Sequence, residues 1–225
     1  MKTWIKFCGT TNLEDARASY EAGADAIGFI FAPSKRRISV EAAAAVARVL
    51  PGLRKTGVFV DESVDIVLKA AHAVGLTSVQ LHGDETPEYV KELIRKAGDT
   101  PLRTIKVITA DEGRFRNLGN FDGGEHLVDA IMLDSGSSQE RGGTGRAFDW
   151  LYSMDFILSL EQRVNVVIAG GLAPDNVGAA ISLFRPWGVD VVSGVESEPG
   201  RKDHANLSAF VAAVRAAERE IAQIS

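Results

Sequence analysis

The sequence predicts one α/β domain that folds as a closed barrel of eight strand–helix units, the (β/α)8 or TIM-barrel class. Short runs rich in Val and Ile alternate along the chain with longer amphipathic stretches, as buried parallel strands and their covering helices do. No linker rich in Pro, Gly or Ser divides residues 1–225, and such a barrel needs ~200 residues or more. An open doubly wound sheet is the alternative, but no unit carries the G-x-G-x-x-G pattern.

The individual elements follow from this alternation. Strands are predicted at 3–8, 25–31, 55–60, 77–82, 102–108, 129–134, 164–169 and 189–193. Helices are predicted at 12–22, 40–50, 62–74, 86–97, 147–152, 174–183 and 203–222. Segment 111–125 is rich in glycine and asparagine, which favours a loop containing at most one short helix.

Capping residues support several helix ends. Asn12 and Thr86 precede the first turns of two predicted helices, where their side chains can accept backbone hydrogen bonds. Gly23, Gly75 and Gly98 follow three predicted helices, where a residue of left-handed conformation is expected.

The composition excludes several classes of protein. The net charge is -5, so the chain as a whole does not indicate nucleic-acid binding. The single cysteine, Cys8, excludes an intramolecular disulfide and an all-cysteine metal site. The sequence shows neither a basic segment with an apolar signal run nor a stretch that could span a bilayer, so we expect a cytoplasmic protein without a membrane partner.

The first predicted strand brings Lys6 and Cys8 to one face, because side chains alternate along a strand. Chemistry in such a barrel lies at the carboxyl ends of the strands. An ammonium close to a thiol lowers its pKa from about 8.5, which would allow Cys8 to act as a base near neutral pH. The alternative is an inert buried cysteine beside a lysine that reaches outward.

The sixth predicted strand ends at Asp134 in the same way. A carboxylate that closes the apolar run 130–133 is rarely placed there for packing, so Asp134 is a candidate acid facing the thiol. The following glycines at 142–145 would let backbone N–H groups approach an anion, with Gly143 as a candidate phosphate ligand. The alternative is a flexible loop.

Other polar residues follow further strands. Arg36 lies in the basic loop 35–37 and could bind a carboxylate or phosphate, although a solvated loop is an alternative. Gln80 and His82 share one face and would line a polar site, unless the histidine is satisfied by backbone groups. No second histidine has metal-ligand spacing with His82.

Small residues follow the last two predicted strands, where barrel enzymes commonly bind phosphate. They are Gly170, Gly171, Ser193 and Gly194. Two such turns after successive strands form a stronger signal than either alone. The alternative is a pair of tight turns without a ligand.

Taken in order, these motifs resemble the phosphoribosylanthranilate isomerases of tryptophan biosynthesis over essentially the whole chain. The resemblance rests on Lys6-Phe7-Cys8-Gly9, Gln80-Leu81-His82-Gly83, Leu133-Asp134-Ser135, Gly142-Gly143-Thr144-Gly145, Ala169-Gly170-Gly171-Leu172, Ser193-Gly194-Val195-Glu196 and Gly200-Arg201-Lys202-Asp203.

The resemblance implies an Amadori rearrangement of N-(5'-phosphoribosyl)anthranilate by general acid–base catalysis. It implies Cys8 as the base, Asp134 as the acid, Arg36 on the anthranilate carboxylate and Asp190 near the aromatic amine. No metal, nicotinamide or pyridoxal cofactor is implied, and the partner is a small phosphosugar. Two positions depart from the family pattern: Lys35 replaces a proline, which leaves open whether Arg36 or Arg37 binds, and Val192 replaces a serine.

Two further hypotheses remain open from the sequence. Another phosphosugar-handling barrel enzyme, such as an epimerase or lyase, would share the late phosphate turns but would not need Cys8. A non-catalytic ligand-binding barrel would tolerate replacement of Cys8 and Asp134 without loss of affinity. A monomer and a homodimer are both compatible with the sequence.

Overall fold

Eight parallel strands close into a barrel in a computed structural model of the chain, which describes residues 2–111, 114–115, 121, 127–134, 157, 160 and 163–224. The barrel strands are β1 (Trp4–Cys8), β2 (Ala26–Ile30), β3 (Arg54–Phe59), β4 (Ser78–Leu81), β5 (Arg103–Asp111), β7 (Ala130–Asp134), β8 (Asn165–Ile168) and β9 (Gly188–Val191). They pair in chain order, and β9 returns to β1, so the sheet has no free edge.

Three short strands lie outside the barrel. They are β6 (Arg114–Phe115), β10 (Glu196–Glu198) and β11 (Arg201–Lys202). β6 pairs antiparallel with the end of β5, and β10 pairs antiparallel with β11 just after β9.

Helices cover the outside of the barrel. Those that the structure delimits are α1 (Leu13–Ala22), α2 (Val40–Val49), α3 (Val64–Val74), α4 (Pro87–Ala97), α5 (Val177–Phe184) and α6 (His204–Ile224). The last helix packs against both α5 and α1, so the two ends of the chain meet. No described helix has the length and apolar character that a membrane span requires.

The predicted elements agree closely with the structure. Every predicted strand is present with its ends shifted by three residues or fewer, and six predicted helices are present. The seventh, 147–152, lies outside the described residues. Within 111–125, β5 continues to Asp111 and pairs there with β6, a strand pair that the sequence did not predict. The sequence carries no signal for this strand pair, because the apolar pattern ends at Ile108 and the extension of β5 depends on main-chain hydrogen bonds.

The predicted caps of α1 and α4 are confirmed. Asp15 N donates to Asn12 Oδ1 at 2.8 Å, and Tyr89 N donates to Thr86 Oγ1 at 3.3 Å. Each bond satisfies one of the donors that a helix start leaves open.

Two of the three predicted C-terminal glycines have the expected conformation. Gly23 and Gly75 are left-handed, with φ of 102° and 71°. Gly98 differs, with φ 57° and ψ -131°. It occupies the first central position of a II′-like turn, which Thr100 N closes by donating to Ala97 O. Glycine still suits the position, because both conformations need positive φ.

Side chains alternate between two apolar layers. Phe7 points outward and meets Phe210 of α6 edge-on at 5.8 Å between ring centroids. Inward-facing residues such as Met132 and Val167 fill the interior of the barrel toward the amino-terminal ends of the strands. At that end Trp4 stacks on Trp187. The barrel interior is therefore packed with apolar side chains toward the amino-terminal ends of the strands and lined by polar side chains at their carboxyl ends. The carboxyl ends are where the site lies.

Candidate active site

Two cavities lie at opposite ends of the barrel. A cavity of about 140 Å³ opens at the amino-terminal end, beside Trp4 and Trp187. A larger cavity of about 340 Å³ opens at the carboxyl end. The larger one is lined by all five residues predicted for catalysis and substrate binding: Cys8, Arg36, His82, Asp134 and Asp190. Since barrel enzymes act at this end, the larger cavity is the candidate site.

A buried ion pair lies beneath the thiol. Lys6 and Asp190 are direct neighbours across β1 and β9, and Lys6 Nζ is 2.7 Å from Asp190 Oδ1. The Lys6 side chain has no exposed surface, and that of Asp190 is 6% exposed. Burial acts to lower the pKa of Lys6, but Asp190 and Cys8, through their charges and hydrogen bonds, together outweigh it and leave that pKa raised. Lys6 is therefore a fixed cation whose charge is largely balanced by Asp190.

The net shift of the thiol pKa is opposite to the one predicted, although Lys6 itself acts to lower that pKa as expected. Cys8 is buried, and burial raises its pKa more than the ammonium of Lys6 lowers it. The carboxylate of Asp190 opposes Lys6 and raises the pKa further. Alternation along β1 revealed the lysine but could not reveal its partner on β9. The free protein therefore holds Cys8 as a thiol near neutral pH.

Gly28 makes the space that Cys8 and Lys6 occupy. It pairs with Cys8 across β1 and β2. A Cβ at this glycine would lie 2.6 Å from Cys8 Sγ and 3.1 Å from Lys6 Cε. Gly28 was not among the predicted site residues, although an isolated glycine inside a strand is a signal of close backbone approach.

Asp134 and His82 face each other across the cavity. Asp134 is buried at the end of β7, and its Oδ2 lies 3.8 Å from His82 Nε2. Burial lowers the pKa of His82, and the nearby Asp134 offsets this only in part, so the ring is neutral near pH 7. Gln80 Nε2 is 3.5 Å from His82 Nδ1. An amide that donates to Nδ1 leaves the ring proton on Nε2, directed at Asp134.

A second buried ion pair supports the loop that carries His82. Lys106 Nζ donates to Glu85 Oε2 at 2.8 Å and to the Gly83 carbonyl at 2.6 Å. Glu85 in turn accepts from the backbone N–H of Asp61 and Gly83. The network joins the segments that follow β3 and β4 to the middle of β5, and thereby fixes the backbone beside His82.

Arg36 reaches the cavity in an ion pair that the sequence analysis did not predict. Its Nε is 3.0 and 2.9 Å from the two carboxylate oxygens of Glu196, and Nη2 is 2.8 Å from Oε2. Arg37 instead donates from Nε to the carbonyl of Phe31 and does not line this cavity within the described residues. This geometry favours Arg36 over Arg37 as the residue that faces a ligand.

Glu196 also contacts a third buried lysine. Lys202 Nζ is 3.2 Å from Glu196 Oε1 and donates to the Cys8 carbonyl at 2.6 Å. Burial lowers the pKa of Lys202, and the charge of Glu196 offsets part of this shift. The only sequence signals for this pair were the motifs 193–196 and 200–203, in which neither Glu196 nor Lys202 had been assigned a role.

The predicted phosphate residues lie on two adjoining turns. Gly170 and Gly171 have positive φ of 81° and 65° after β8. Ser193 and Gly194 belong to a three-residue 3-10 helix after β9. A Cβ at Gly194 would collide with the carbonyl of Leu172, so the two turns pack directly against each other.

These turns do not line the cavity among the described residues, where Val192 stands closest to them along the chain. Gly143 lies outside the described residues. The structure therefore brings together the predicted catalytic and carboxylate-binding residues in one cavity, and the predicted phosphate residues on a neighbouring surface of the same barrel rim.

Comparison with known proteins decides the family. The family model described as "N-(5'phosphoribosyl)anthranilate (PRA) isomerase" matches residues 5–213. The chain belongs to the phosphoribosylanthranilate isomerase family. The N-(5'-phosphoribosyl)anthranilate isomerase of Desulforudis audaxviator is 42% identical over 216 residues, which cover 96% of this chain and 99% of the relative.

Solved phosphoribosylanthranilate isomerases have the same barrel. The enzyme from Thermotoga maritima superposes with a TM-score of 0.81 at 36% identity, covering 95% of this chain and 99% of the other. A second structure, of phosphoribosyl anthranilate isomerase in complex with reduced 1-(o-carboxyphenylamino)-1-deoxyribulose 5-phosphate, gives a TM-score of 0.79 with the same identity and coverage. The predicted (β/α)8 fold and the predicted family are confirmed.

Proposed function

We propose that this phosphoribosylanthranilate isomerase carries out the Amadori rearrangement with Cys8 as general base and Asp134 as general acid. The reaction converts N-(5'-phosphoribosyl)anthranilate into 1-(2-carboxyphenylamino)-1-deoxyribulose 5-phosphate in tryptophan biosynthesis. The observation that carries the proposal is the single cavity lined by both residues together with Arg36, His82 and Asp190.

The first step is opening of the furanose ring. Protonated Asp134 gives its proton to the ring oxygen, the bond from that oxygen to C1′ breaks, and the nitrogen lone pair forms a protonated imine, since the nitrogen keeps its hydrogen. His82 supports this step as a neutral ring whose Nε2 faces the Asp134 carboxyl group. A group that transfers a proton in this way contributes ~10²–10⁴-fold to the rate.

The second step is removal of the hydrogen at C2′, which the imine acidifies. The thiolate of Cys8 accepts that proton, and the resulting enolamine tautomerises to the ketone. The base role requires a free thiol, which fits the reducing cytoplasm that we propose as the compartment of this protein. The thiol pKa is raised, so only a minor thiolate fraction is available at neutral pH in the free enzyme.

The protein binds the substrate at two ends, the anthranilate group and the 5′-phosphate. Arg36 binds the anthranilate carboxylate, and Asp190 lies near the aromatic amine at the floor of the cavity. We assign the 5′-phosphate to the backbone around Gly170–Gly171 and Ser193–Gly194, with Gly143 as the further predicted ligand. Positive φ at the glycine pair and the contact of the two turns support this assignment.

The test compares wild type with Cys8→Ala and Asp134→Asn. Turnover is followed by the loss of substrate fluorescence under saturating and subsaturating conditions. We expect wild type to be active and each variant to lose ~10²–10⁴-fold in kcat. An inactive wild type would overturn the assigned reaction, whereas an active Cys8→Ala variant would overturn only the assignment of the base.

A further inference from the structure

We propose that Glu196 is a positioning residue that fixes the guanidinium of Arg36 for the carboxylate of the substrate. The proposal rests on the function assigned above. Glu196 is nearly fully buried, with 3% of its side chain exposed, at the start of β10. Its carboxylate accepts from Arg36 Nε at 3.0 and 2.9 Å and lies 2.8 Å from Nη2.

The contact occupies one edge of the guanidinium. Arg has five N–H donors, and Glu196 takes the Nε–Nη2 edge. The remaining donors are both hydrogens of Nη1 and the second hydrogen of Nη2. That end-on edge forms the planar fork that matches a carboxylate in a bidentate pair. Arg36 lines the cavity, and we assign this remaining edge to the carboxylate of the substrate.

The sign of the charge argues for orientation as the role of Glu196. A carboxylate beside Arg36 weakens the general attraction of the arginine for a second anion. Glu196 therefore cannot assist anion binding through its charge. What it supplies is order, because a long side chain that is already held loses less rotamer freedom when the ligand binds.

Other contacts hold both partners in place. Gly200 N donates to Glu196 Oε1 at 3.3 Å, and Lys202 Nζ lies 3.2 Å from the same oxygen. The stem of Arg36 lies across the turn after Cys8, where a Cβ on Gly9 would come within 2.9 Å of Arg36 Cδ. The guanidinium is thus restrained at its stem and at one edge.

Lys202 offers a competing explanation. Since Lys202 also donates to the Cys8 carbonyl, loss of Glu196 could instead disturb the base. The two explanations differ in the kinetic parameter that changes. Misplacement of Arg36 weakens binding in the ground state and transition state alike and raises KM, whereas misplacement of Cys8 lowers kcat.

The experiment is a double-mutant cycle on the full chain with N-(5'-phosphoribosyl)anthranilate. Glu196→Gln keeps the shape of the side chain but removes its charge, and it is made in wild type and in Arg36→Ala. We expect Glu196→Gln to raise KM about 10-fold or more in wild type, with kcat changed less than about 3-fold. In the Arg36→Ala background the same substitution should change kcat/KM less than about 2-fold.

Glu198→Gln is the matched control, because Glu198 lies on the same short strand with its side chain exposed. Thermal unfolding of each variant distinguishes misfolding from misplacement, and Glu196→Asp tests rescue by a carboxylate that is shorter by one methylene. Equal losses in both backgrounds, or a loss in kcat alone, would overturn the proposal. If the wild-type protein itself does not turn over the substrate, the assigned reaction is overturned instead.

Discussion

Substitution of Gly28 by alanine is the sharpest steric test of the thiol as the base. Gly28 lies in the middle of β2, directly opposite Cys8, and its φ is outside the positive range, so its backbone accepts alanine without strain. The new methyl group would come within 2.6 Å of Cys8 Sγ, 3.1 Å of Lys6 Cε and 3.2 Å of the Cys8 Cα. The substitution therefore adds one carbon atom between the proposed base and its buried cation.

The size of the effect follows from these distances. Ordinary van der Waals contact begins at 3.4 Å, so the sulfur must move by about 0.8 Å. A displacement of about 1 Å at a reacting group costs roughly 10²-fold in rate. Overpacking of this kind lowers the free energy of unfolding by about 1–3 kcal/mol. Alanine offsets about 0.4–1 kcal/mol of this loss, because it reduces the conformational entropy of the unfolded chain. We expect a folded protein with kcat reduced roughly 10²-fold.

The assay is loss of substrate fluorescence, together with urea-induced unfolding of the same preparations. Gly52→Ala is the matched control, because a Cβ at Gly52 meets no atom within 4 Å. That variant should retain wild-type kcat and equal or slightly greater stability. A Gly28→Ala enzyme with wild-type kcat would refute the reasoning, since a base that tolerates such a displacement is not the residue at this position.

Two further predictions concern pH. Because burial raises the pKa of Cys8, kcat/KM should increase as pH rises above 7 toward the raised thiol pKa, and a pH–rate profile that is flat above pH 7 would contradict the thiolate as base. Because burial lowers the pKa of His82, the unfolded chain binds more protons below about pH 6.5, so stability decreases as pH falls through that value. Urea unfolding at pH 7 and pH 5 should show a smaller difference for His82→Gln than for wild type, and an unchanged difference would show that His82 does not titrate in this way.

The barrel could be predicted because its signal is local and repeated. Each barrel strand is a short apolar run, and several helices begin at caps that their own residues specify, as at Asn12 and Thr86. The pairing of β5 with β6 could not be predicted in this way. It depends on main-chain hydrogen bonds beyond Ile108, where no side-chain pattern marks the strand.

The sequence could predict only those site residues that lie at or just after the ends of strands. Cys8 and Asp134 each end an apolar strand, and in a barrel such ends converge on one rim. The ion pair of Lys6 with Asp190 joins residues 184 positions apart, and the sequence around either residue does not indicate the other as its partner. Burial of Cys8, the main cause of its raised pKa, is likewise set by the tertiary fold, so the direction of that shift was predicted wrongly. Glu196 pairs with Arg36, 160 positions away, and for the same reason was not assigned a role.

Three of the buried lysines share one arrangement, which bears on the protonation state of the base. Lys6, Lys106 and Lys202 are each paired with a carboxylate, and Lys106 and Lys202 also donate to backbone carbonyls at strand ends. Buried ion pairs contribute little net stability, because desolvation offsets their attraction, but they fix geometry. The cations around the thiol are thus already balanced in the free enzyme, and burial keeps the thiol protonated. Lys6 already lowers the thiol pKa in this arrangement, but burial outweighs it and Asp190 opposes it, so Lys6 alone does not make Cys8 a thiolate.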